Sequence, residues 1–495
     1  MVKLTINDRD LEASEGLTIL RAAEEAGIDI PHFCYHPAFA PEGSCRMCLV
    51  EIEGLPKLEL ACSTPVRGGL VVRTATPRVE QARRDVLEFL LADHPLDCPI
   101  CDKAGECMLQ DQYDRYGRFP NRFVEPKQKK DKLVRIGRGL VLDRERCILC
   151  ARCVRFLRNF TGTGELGVFE RGARAEIGIF EGAPVDNAYA GNLVDICPVG
   201  AITAEDFRFQ TRAWFLARKP SVCPHCSRGC AIVVEAVSGY PLPGAKRRVY
   251  RVTAGENPAV NGYWICDLGR AGRRDIDEGR PAGLLKKGVA VEGEPWQNAL
   301  AEVAAAIKAV PGSDRRARIA VVLNARLTCE ELARAKALFV TGLGLDKISF
   351  ADRKPGAADG LLMTAERVPN ARGILGAGFE PRPPSIDELT GTTVLLVFGS
   401  GLAEHFPEEA VGRALAAVPS KFLFAAHSGP LDRLFDLAFP VAVPAEKSGT
   451  YINIDGVRQS FERALGPPAG AVPEGEILAC LAHGLGLNLG DRDAC

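Results

Sequence analysis

The sequence has no long hydrophobic run and almost no net charge. Its 495 residues contain no stretch of eighteen uninterrupted apolar residues, so we predict no direct membrane insertion. The formal net charge is −1, and this balance favours no nucleic-acid partner. The first residues are typical of a strand and lack the apolar core of a signal peptide, which predicts a cytoplasmic chain.

Cysteine, by contrast, is abundant and clustered. Fifteen of the 18 cysteines lie between Cys34 and Cys266 in four groups, while Cys329, Cys480 and Cys495 stand alone. Disulfides are rare in a reducing cytosol. Clustered thiols with repeated short spacings therefore indicate metal ligands.

The first group is Cys34, Cys45, Cys48 and Cys62. Its surroundings predict a β-grasp ferredoxin module, with strands at 2–6 and 10–14, a helix at 17–27, and strands at 49–53, 57–62 and 70–74. Four thiolates with one close pair on a Gly-Ser loop are typical of a [2Fe–2S] cluster. A four-cysteine zinc site is the alternative.

The second group is His94, Cys98, Cys101 and Cys107. A helix over 78–92, with Thr76 as its N-cap, is predicted to end just before it. Three cysteines leave a [4Fe–4S] cluster one ligand short, and His94 can complete it; the alternative is a histidine that only satisfies the helix end. An imidazole in place of a thiolate removes one negative charge and should raise the potential. Asp93 is the candidate acceptor for the other ring nitrogen.

Two further groups follow the same logic. The third, Cys147, Cys150, Cys153 and Cys197, predicts one [4Fe–4S] cluster, since three close cysteines and a remote Cys-Pro are typical of a bacterial ferredoxin half. Its flanking arginines either offset the charge of a reduced cluster or are solvated: Arg144, Arg146, Arg152 and Arg155.

The fourth group, Cys223, Cys226, Cys230 and Cys266, predicts another [4Fe–4S] cluster, with zinc as the alternative metal. His225 is interpreted as a loop residue.

From about residue 290 the sequence pattern changes, and the cysteine groups have ended. Strands and helices alternate, which predicts a parallel α/β layer: a helix at 296–309, a strand at 318–324, a helix opened by Thr328 and Glu331, strands at 347–350 and 392–398, a helix at 407–418 and a strand at 421–426. Gly399-Ser400-Gly401 is a weak phosphate-loop signal. No G-x-G-x-x-G follows a strand in a βαβ unit, so we predict no NAD site.

Fifteen cysteines and one histidine thus supply sixteen candidate ligands, enough for one [2Fe–2S] and three [4Fe–4S] clusters. Clusters of this kind carry one electron each and need no acid–base partner. The sequence therefore predicts an electron relay without a catalytic residue of its own. A zinc-stapled scaffold without redox activity is the alternative from another class.

The order of these groups resembles the family of the large iron–sulfur subunit of respiratory NADH:quinone oxidoreductases, complex I. The resemblance covers residues 1–215 and rests on four stretches: Gly43–Cys48, His94–Cys107, Cys147–Cys153 and Asp195–Ala201. Residues 220–270 resemble the cluster-bearing start of molybdopterin oxidoreductases. Residues 285–495 resemble part of their molybdopterin domain, most clearly at Glu446–Tyr451 and Phe398–Gly401.

The resemblance implies a multidomain α+β and α/β fold with five modules. They are a [2Fe–2S] β-grasp ferredoxin domain at 1–78, a helical [4Fe–4S] module with one His and three Cys ligands at 79–119, a ferredoxin-like [4Fe–4S] module at 140–215, a molybdopterin-oxidoreductase-type [4Fe–4S] module at 216–272, and an α/β molybdopterin-oxidoreductase-like scaffold at 285–495. Asp267 stands where active molybdenum enzymes have a lysine, and the chain stops short of their full domain set. We therefore expect no molybdenum, and no flavin or NAD bound by this chain.

The resemblance also implies a role. Electrons from NADH would pass through a flavin on a partner subunit, along these clusters, and on to a ferredoxin-like two-cluster subunit and quinone-site subunits. The chain would then be cytoplasmic and peripheral to the inner membrane as part of a complex. The nearest alternative is the same relay in a soluble NAD-linked hydrogenase or formate dehydrogenase.

Overall fold

The structure, a computed structural model, describes residues 1–120, 122–237, 247–291, 293, 295–351, 353–468 and 470–489. Cys495 lies outside these residues. The chain forms two compact units, an N-terminal unit Met1–Leu216 and a C-terminal unit Ala217–Cys495. None of the described helices is both long and apolar enough to cross a membrane.

The N-terminal unit begins with a five-stranded sheet. Its strands are Val2–Ile6, Arg9–Ala13, Leu49–Ile52, Glu59–Leu60 and Leu70–Arg73. Val2–Ile6 pairs antiparallel with the second strand and parallel with the last, as a β-grasp requires. The helix Ile19–Glu25 buries Ile19 and Leu20 in the core of this sheet. Cys48 and Cys62 belong to the same core, so half of the first cysteine group is packed among apolar side chains.

Two helices frame the second cysteine group. Pro77–Asp93 begins as predicted, because the Thr76 side-chain oxygen accepts a hydrogen bond from the Val79 amide at 3.3 Å. It ends directly before His94, whose backbone is extended. Met108–Tyr116 begins directly after Cys107. The second group therefore occupies the connection between two helix ends.

The third cysteine group lies beside a three-stranded antiparallel sheet. The strands are Val134–Gly137, Leu140–Leu142 and Ile202–Ala204, and a separate hairpin joins Leu166–Phe169 to Glu176–Ile179. Cys153 lies in the short helix Arg152–Phe156, and Cys197 directly follows the helix Asn192–Ile196. The two helices thus bring the loop cysteines and the remote cysteine to one place.

The C-terminal unit contains a small and a large sheet. The small sheet has three strands, Leu216–Val222, Ala231–Val237 and Val249–Ala254, and the last two pair antiparallel. The large sheet has seven strands in the spatial order Val289–Ala290, Leu285–Lys286, Leu437–Pro440, Ser420–Ala425, Val394–Phe398, Ile319–Leu323 and Ile348–Phe350. The last five pair in parallel, which confirms the predicted parallel α/β layer.

Helices cover both faces of the large sheet, since its two faces belong to two separate apolar clusters. The α-helices of the described C-terminal unit are Asp267–Ala271, Arg273–Asp277, Trp296–Ala309, Arg315–Arg318, Cys329–Ala335, Ala371–Gly376, Ile386–Thr390, Leu402–His405, Glu408–Ala416 and Glu474–Leu485. Thr328 and Glu331 form the predicted capping box at the start of Cys329–Ala335.

The motif Glu446–Tyr451 has a structural role in this unit. The Lys447 ammonium lies 2.7 Å from a Glu331 carboxylate oxygen and 2.8 Å from one of Glu474, and all three side chains are buried. Tyr451 donates its hydroxyl to the Arg326 carbonyl at 2.8 Å. The motif therefore ties two helices to the strand Gly449–Ile452.

Replacing Lys447 with methionine should destabilise the C-terminal unit strongly. The change leaves two carboxylates buried without their cation, which costs about 3–5 kcal/mol of unfolding free energy. Urea unfolding of the full chain would measure this as a lower midpoint for the C-terminal unit. Lys308→Met, at an exposed position of Trp296–Ala309, is the matched control and should leave the midpoint unchanged. Equal midpoints for the two variants would contradict the prediction.

Candidate metal centres

The first cysteine group forms two thiol pairs. The Cys45 thiol donates a hydrogen bond to Cys34, which lowers the pKa of Cys34 to about 5 and raises that of Cys45. Cys48 and Cys62 form the second pair, in which the pKa of Cys62 is lowered by the Cys48 hydrogen bond. All four side chains are buried and unbridged. The predicted first set is therefore gathered in one place.

The loop that carries Cys45 and Cys48 has an unusual backbone. Gly43 has φ 69° and Arg46 has φ 58°, so the chain turns twice through the left-handed region. The Phe33 amide donates to the Cys45 sulfur at 3.4 Å. A backbone that turns an amide toward a cysteine sulfur suits a thiolate that ligates iron, because such hydrogen bonds stabilise its negative charge.

The second group surrounds a cavity of about 740 Å³. His94, Cys98, Cys101 and Cys107 all line it, and Cys98 is exposed while the other two thiols are buried. Burial, with Lys127 and Arg146 nearby, lowers the pKa of His94 to about 4. The His94 imidazole is therefore neutral near pH 7, the form that binds a metal.

The His94 ring also has an unused nitrogen. Among the described residues, its Nδ1 atom is buried without a hydrogen-bond partner. The suggested role of Asp93 is wrong, because its carboxylate accepts from the Gln128 amide at 2.9 Å instead. A neutral imidazole with an unpartnered nitrogen at a cavity lined by three thiols fits an iron–sulfur ligand.

The third group encloses a small cavity of about 20 Å³. Cys147, Cys150, Cys153 and Cys197 all line it. Leu149 and Ala151, on either side of Cys150, have φ 53° and φ 54°, so the loop is wound tightly around this point. Burial raises the pKa of Cys147 to about 12 and that of Cys150 to about 11. Thiols packed this closely and without disulfides fit ligands that share one metal cluster.

The arginines flanking this loop are mostly buried. Arg146 is 3% exposed and lies 2.9 Å from Asp97 and 3.2 Å from Asp143. Arg152 and Arg155 are each 7% exposed. Arg144 is partly buried and pairs with two carboxylates. Of the two interpretations left open by the sequence, the solvated one is therefore wrong for Arg146, Arg152 and Arg155.

Gly200 is a site residue that the sequence reasoning missed. A Cβ atom on Gly200 would lie 2.1 Å from the Cys101 sulfur, so the segment after Cys197 packs directly on the second group. The Met108 amide also donates to the Pro198 carbonyl at 3.1 Å. In the sequence, the only sign of this contact is that a glycine stands two residues after the Cys197-Pro198 pair. The second and third groups are therefore neighbours.

Substituting alanine for Gly200 should disturb the second site. The added methyl overlaps the Cys101 sulfur, and overpacking of this kind costs about 1–3 kcal/mol. We expect reduced iron content and a weakened signal from one cluster only, measured by iron assay and EPR. Gly68→Ala is the control, since a Cβ there has nothing within 4 Å. Full iron content in Gly200→Ala would count against the packing argument.

The fourth group lies in the C-terminal unit, and all four of its cysteines are buried. The Cys223 amide donates to the Cys230 carbonyl at 2.8 Å. Burial and neighbouring sulfurs raise the pKa values of Cys223 and Cys230. Gly269 leaves room beside this group, because a Cβ there would lie 3.1 Å from the Cys223 sulfur.

The histidine within this motif has a partner other than the cysteines. His225 is 3% exposed, and its Nδ1 atom lies 2.8 Å from an Arg353 guanidinium nitrogen. His225 lies in the loop between two strands, as predicted, and its side chain is buried there. Of the lone cysteines, Cys329 is buried and Cys480 is exposed. Within the described part of the chain, no three His, Cys, Asp or Glu side chains meet closely enough to hold a single metal ion.

Three known protein families match the parts of the chain that contain the first three cysteine groups. Residues 1–77 match a 2Fe-2S iron-sulfur cluster binding domain, and residues 83–122 match the NADH-ubiquinone oxidoreductase-G iron-sulfur binding region. Residues 137–203 match the ferredoxin-like domain of NADH-quinone oxidoreductase subunit 3. The G subunit of the NADH-quinone oxidoreductase of Streptomyces coelicolor is 38% identical over 382 residues, covering 76% of this chain and 44% of the relative. The chain is a homologue of this NADH-quinone oxidoreductase component.

A second relative of the same name, from Mycobacterium bovis, is 38% identical over 411 residues, covering 78% of this chain and 48% of the relative. The chain thus spans about half the length of the NADH-quinone oxidoreductase relatives that it matches. A solved NAD+-reducing [NiFe]-hydrogenase chain is 32% identical, with a TM-score of 0.40, and the match covers 43% of this chain and 91% of that one. The three matched domains contain the first three candidate sites.

Proposed function

We propose that this chain is an electron-transfer subunit of an NADH:quinone oxidoreductase. It would relay electrons from a flavin-bearing, NADH-oxidising subunit toward the quinone site through ferredoxin-like and quinone-site subunits. Iron–sulfur clusters supply the chemistry, since each accepts and donates one electron. The chain would be peripheral to the inner membrane, on its cytoplasmic side.

One observation carries this proposal: the first and third groups adjoin. The Arg155 guanidinium donates to the Cys34 carbonyl of the first group and lies 3.5 Å from the Cys150 carbonyl of the third. Gly200, which follows Cys197 of the third group, packs against the Cys101 sulfur of the second group. Stepwise electron transfer needs neighbouring sites, and the Arg155 contacts and the close packing of Gly200 on Cys101 support such a row of sites.

The proposed ligands divide among four clusters. A [2Fe–2S] cluster would be held by Cys34, Cys45, Cys48 and Cys62, and three [4Fe–4S] clusters by His94, Cys98, Cys101 and Cys107, by Cys147, Cys150, Cys153 and Cys197, and by Cys223, Cys226, Cys230 and Cys266. The free, gathered thiols and the unpartnered His94 nitrogen support this assignment.

The chain would consist of five modules, at 1–78, 79–119, 140–215, 216–272 and 285–495. The first four would hold the clusters, and we assign the last a supporting role, as a molybdopterin-oxidoreductase-like scaffold without molybdenum. The Glu446–Tyr451 motif supports this, because its buried side chains bind other protein groups. No flavin or NAD would be bound by this chain.

The test is the metal content of the full chain purified without oxygen. We expect iron and acid-labile sulfide for four clusters, and EPR signals from the dithionite-reduced protein. A colourless zinc protein would overturn the relay, and stoichiometric molybdenum would overturn the scaffold assignment. Reduction by NADH only in the presence of a flavin-bearing subunit, with electrons passing to a quinone, would separate this role from a soluble hydrogenase or formate dehydrogenase.

A further inference from the structure

Arg152 is a buried cation that reaches segments next to all three cysteine groups of the N-terminal unit. It lies between Cys150 and Cys153 in the chain and is 7% exposed. Its guanidinium donates to the Tyr35 carbonyl, next to Cys34, and lies 3.4 Å from the Ile196 carbonyl, next to Cys197. It also lies 3.8 Å from the Met108 sulfur, next to Cys107. One side chain therefore contacts a neighbour of a proposed ligand in each of these three groups.

The charge of Arg152 has no carboxylate partner in the part of the chain that the structure describes. Its hydrogen-bond acceptors are two carbonyls and a thioether, all of them neutral. The nearby buried arginines differ, because Arg146 pairs with Asp97 and Asp143, and Arg155 lies 3.9 Å from Glu42. An isolated buried charge is expensive unless an opposite charge compensates it.

The available opposite charge is on the cysteines. Arg152 lies two residues after Cys150 in the chain, and its guanidinium contacts the residues next to Cys197 and Cys34. Those three cysteines belong to the first and third groups. A thiolate-bound iron–sulfur cluster is itself negative, and it becomes more negative when reduced. The compensating charge of Arg152 therefore comes from two proposed clusters at once.

We propose that Arg152 is a positioning residue and the shared counter-charge of the first and third sites. This inference rests on the proposed function. The hydrogen bonds from Arg152 to the Tyr35 and Ile196 carbonyls fix the positions of Cys34 and Cys197 relative to the Cys147–Cys153 loop. Its positive charge stabilises the reduced state of both clusters, so it raises both reduction potentials together.

The test is Arg152→Met in the full chain, loaded and purified without oxygen. Redox-titrated EPR should show the first and third clusters both shifting to lower potential, by tenfold or more in the reduction equilibrium. For a one-electron couple, tenfold corresponds to about 59 mV. The fourth cluster, in the other compact unit, should keep its potential. Arg158→Met, at an exposed position six residues later, is the matched control and should shift none.

A second variant, Arg152→Lys, distinguishes the effect of the positive charge from that of the guanidinium's hydrogen-bonding geometry. The ammonium keeps the charge but not the planar fork, so both potentials should lie closer to those of the parent chain than in Arg152→Met. If Arg152→Met loads poorly, the first and third sites should lose iron together while the fourth stays full, and the lysine variant should recover both. A shift or loss confined to one site, or none at all, would overturn the proposal. A parent chain without iron would instead overturn the proposed function.

Discussion

Replacing Cys150 with serine should remove the third cluster and interrupt the relay. Cys150 is buried, lines the same small cavity as Cys147, Cys153 and Cys197, and sits in a tightly wound loop. A serine hydroxyl is a poor substitute for thiolate, and the other three thiols that line the cavity are themselves proposed ligands of this cluster. We expect a loss of about four irons per chain and of one EPR signal. Iron assay and EPR of the reduced protein measure both.

The control for this change is Cys480→Ser. Cys480 is exposed on the helix Glu474–Leu485 and stands apart from the four groups. Its replacement should leave iron content and all EPR signals intact. If Cys150→Ser retained full iron and every signal, the third ligand set would be wrong, whereas loss in both variants would indicate general instability.

The local features of this chain could be predicted because they depend on neighbours in the sequence. Thr76 and Pro77 specify the start of a helix, and the structure begins the helix at Pro77. Thr328 and Glu331 specify a capping box three residues apart, and it forms. Cysteine spacings of two or three residues likewise fix which thiols share a loop. The β-grasp and parallel α/β regions follow from the same short-range patterns.

The surroundings of the sites could not be predicted, because they depend on contacts between distant residues. Arg152 meets Tyr35 across 117 residues, and Arg155 meets Cys34 across 121. The sequence pattern around these arginines is the same whether they are solvated or buried. Gly200 carries no local sign that its missing side chain makes room for Cys101. The sequence therefore indicates the ligands, while the fold determines which charges surround them.

Asp93 illustrates the same limit at shorter range. It precedes His94 and has the right chemistry to accept a ring hydrogen bond, but the helix end turns it toward solvent and the Gln128 amide. Asp97 instead contributes negative charge near His94, while Lys132 and Arg146 hold its carboxylate. Adjacency in sequence did not predict orientation, because the backbone changes direction at His94.

His94→Ala and His94→Cys should have opposite consequences for the second cluster. Alanine removes the only nitrogen ligand proposed for this cluster, and among the described residues the cavity of about 740 Å³ offers no thiol besides Cys98, Cys101 and Cys107. We expect the alanine variant to lose most of this cluster, measured as missing iron and a missing EPR signal. His405→Ala, on the short helix Leu402–His405 of the C-terminal unit, is the control and should lose neither.

The cysteine variant should keep the cluster at a lower potential. Cysteine restores a fourth ligand, but its thiolate adds a negative charge where the neutral imidazole adds none, so reduction becomes less favourable. The shift should be on the order of 100 mV, since imidazole-for-thiolate exchange raises potentials by hundreds of millivolts in related clusters. Redox-titrated EPR would measure it. A loaded His94→Cys chain with an unchanged potential would mean that His94 does not bind the cluster, and the unpartnered Nδ1 atom would then need another explanation.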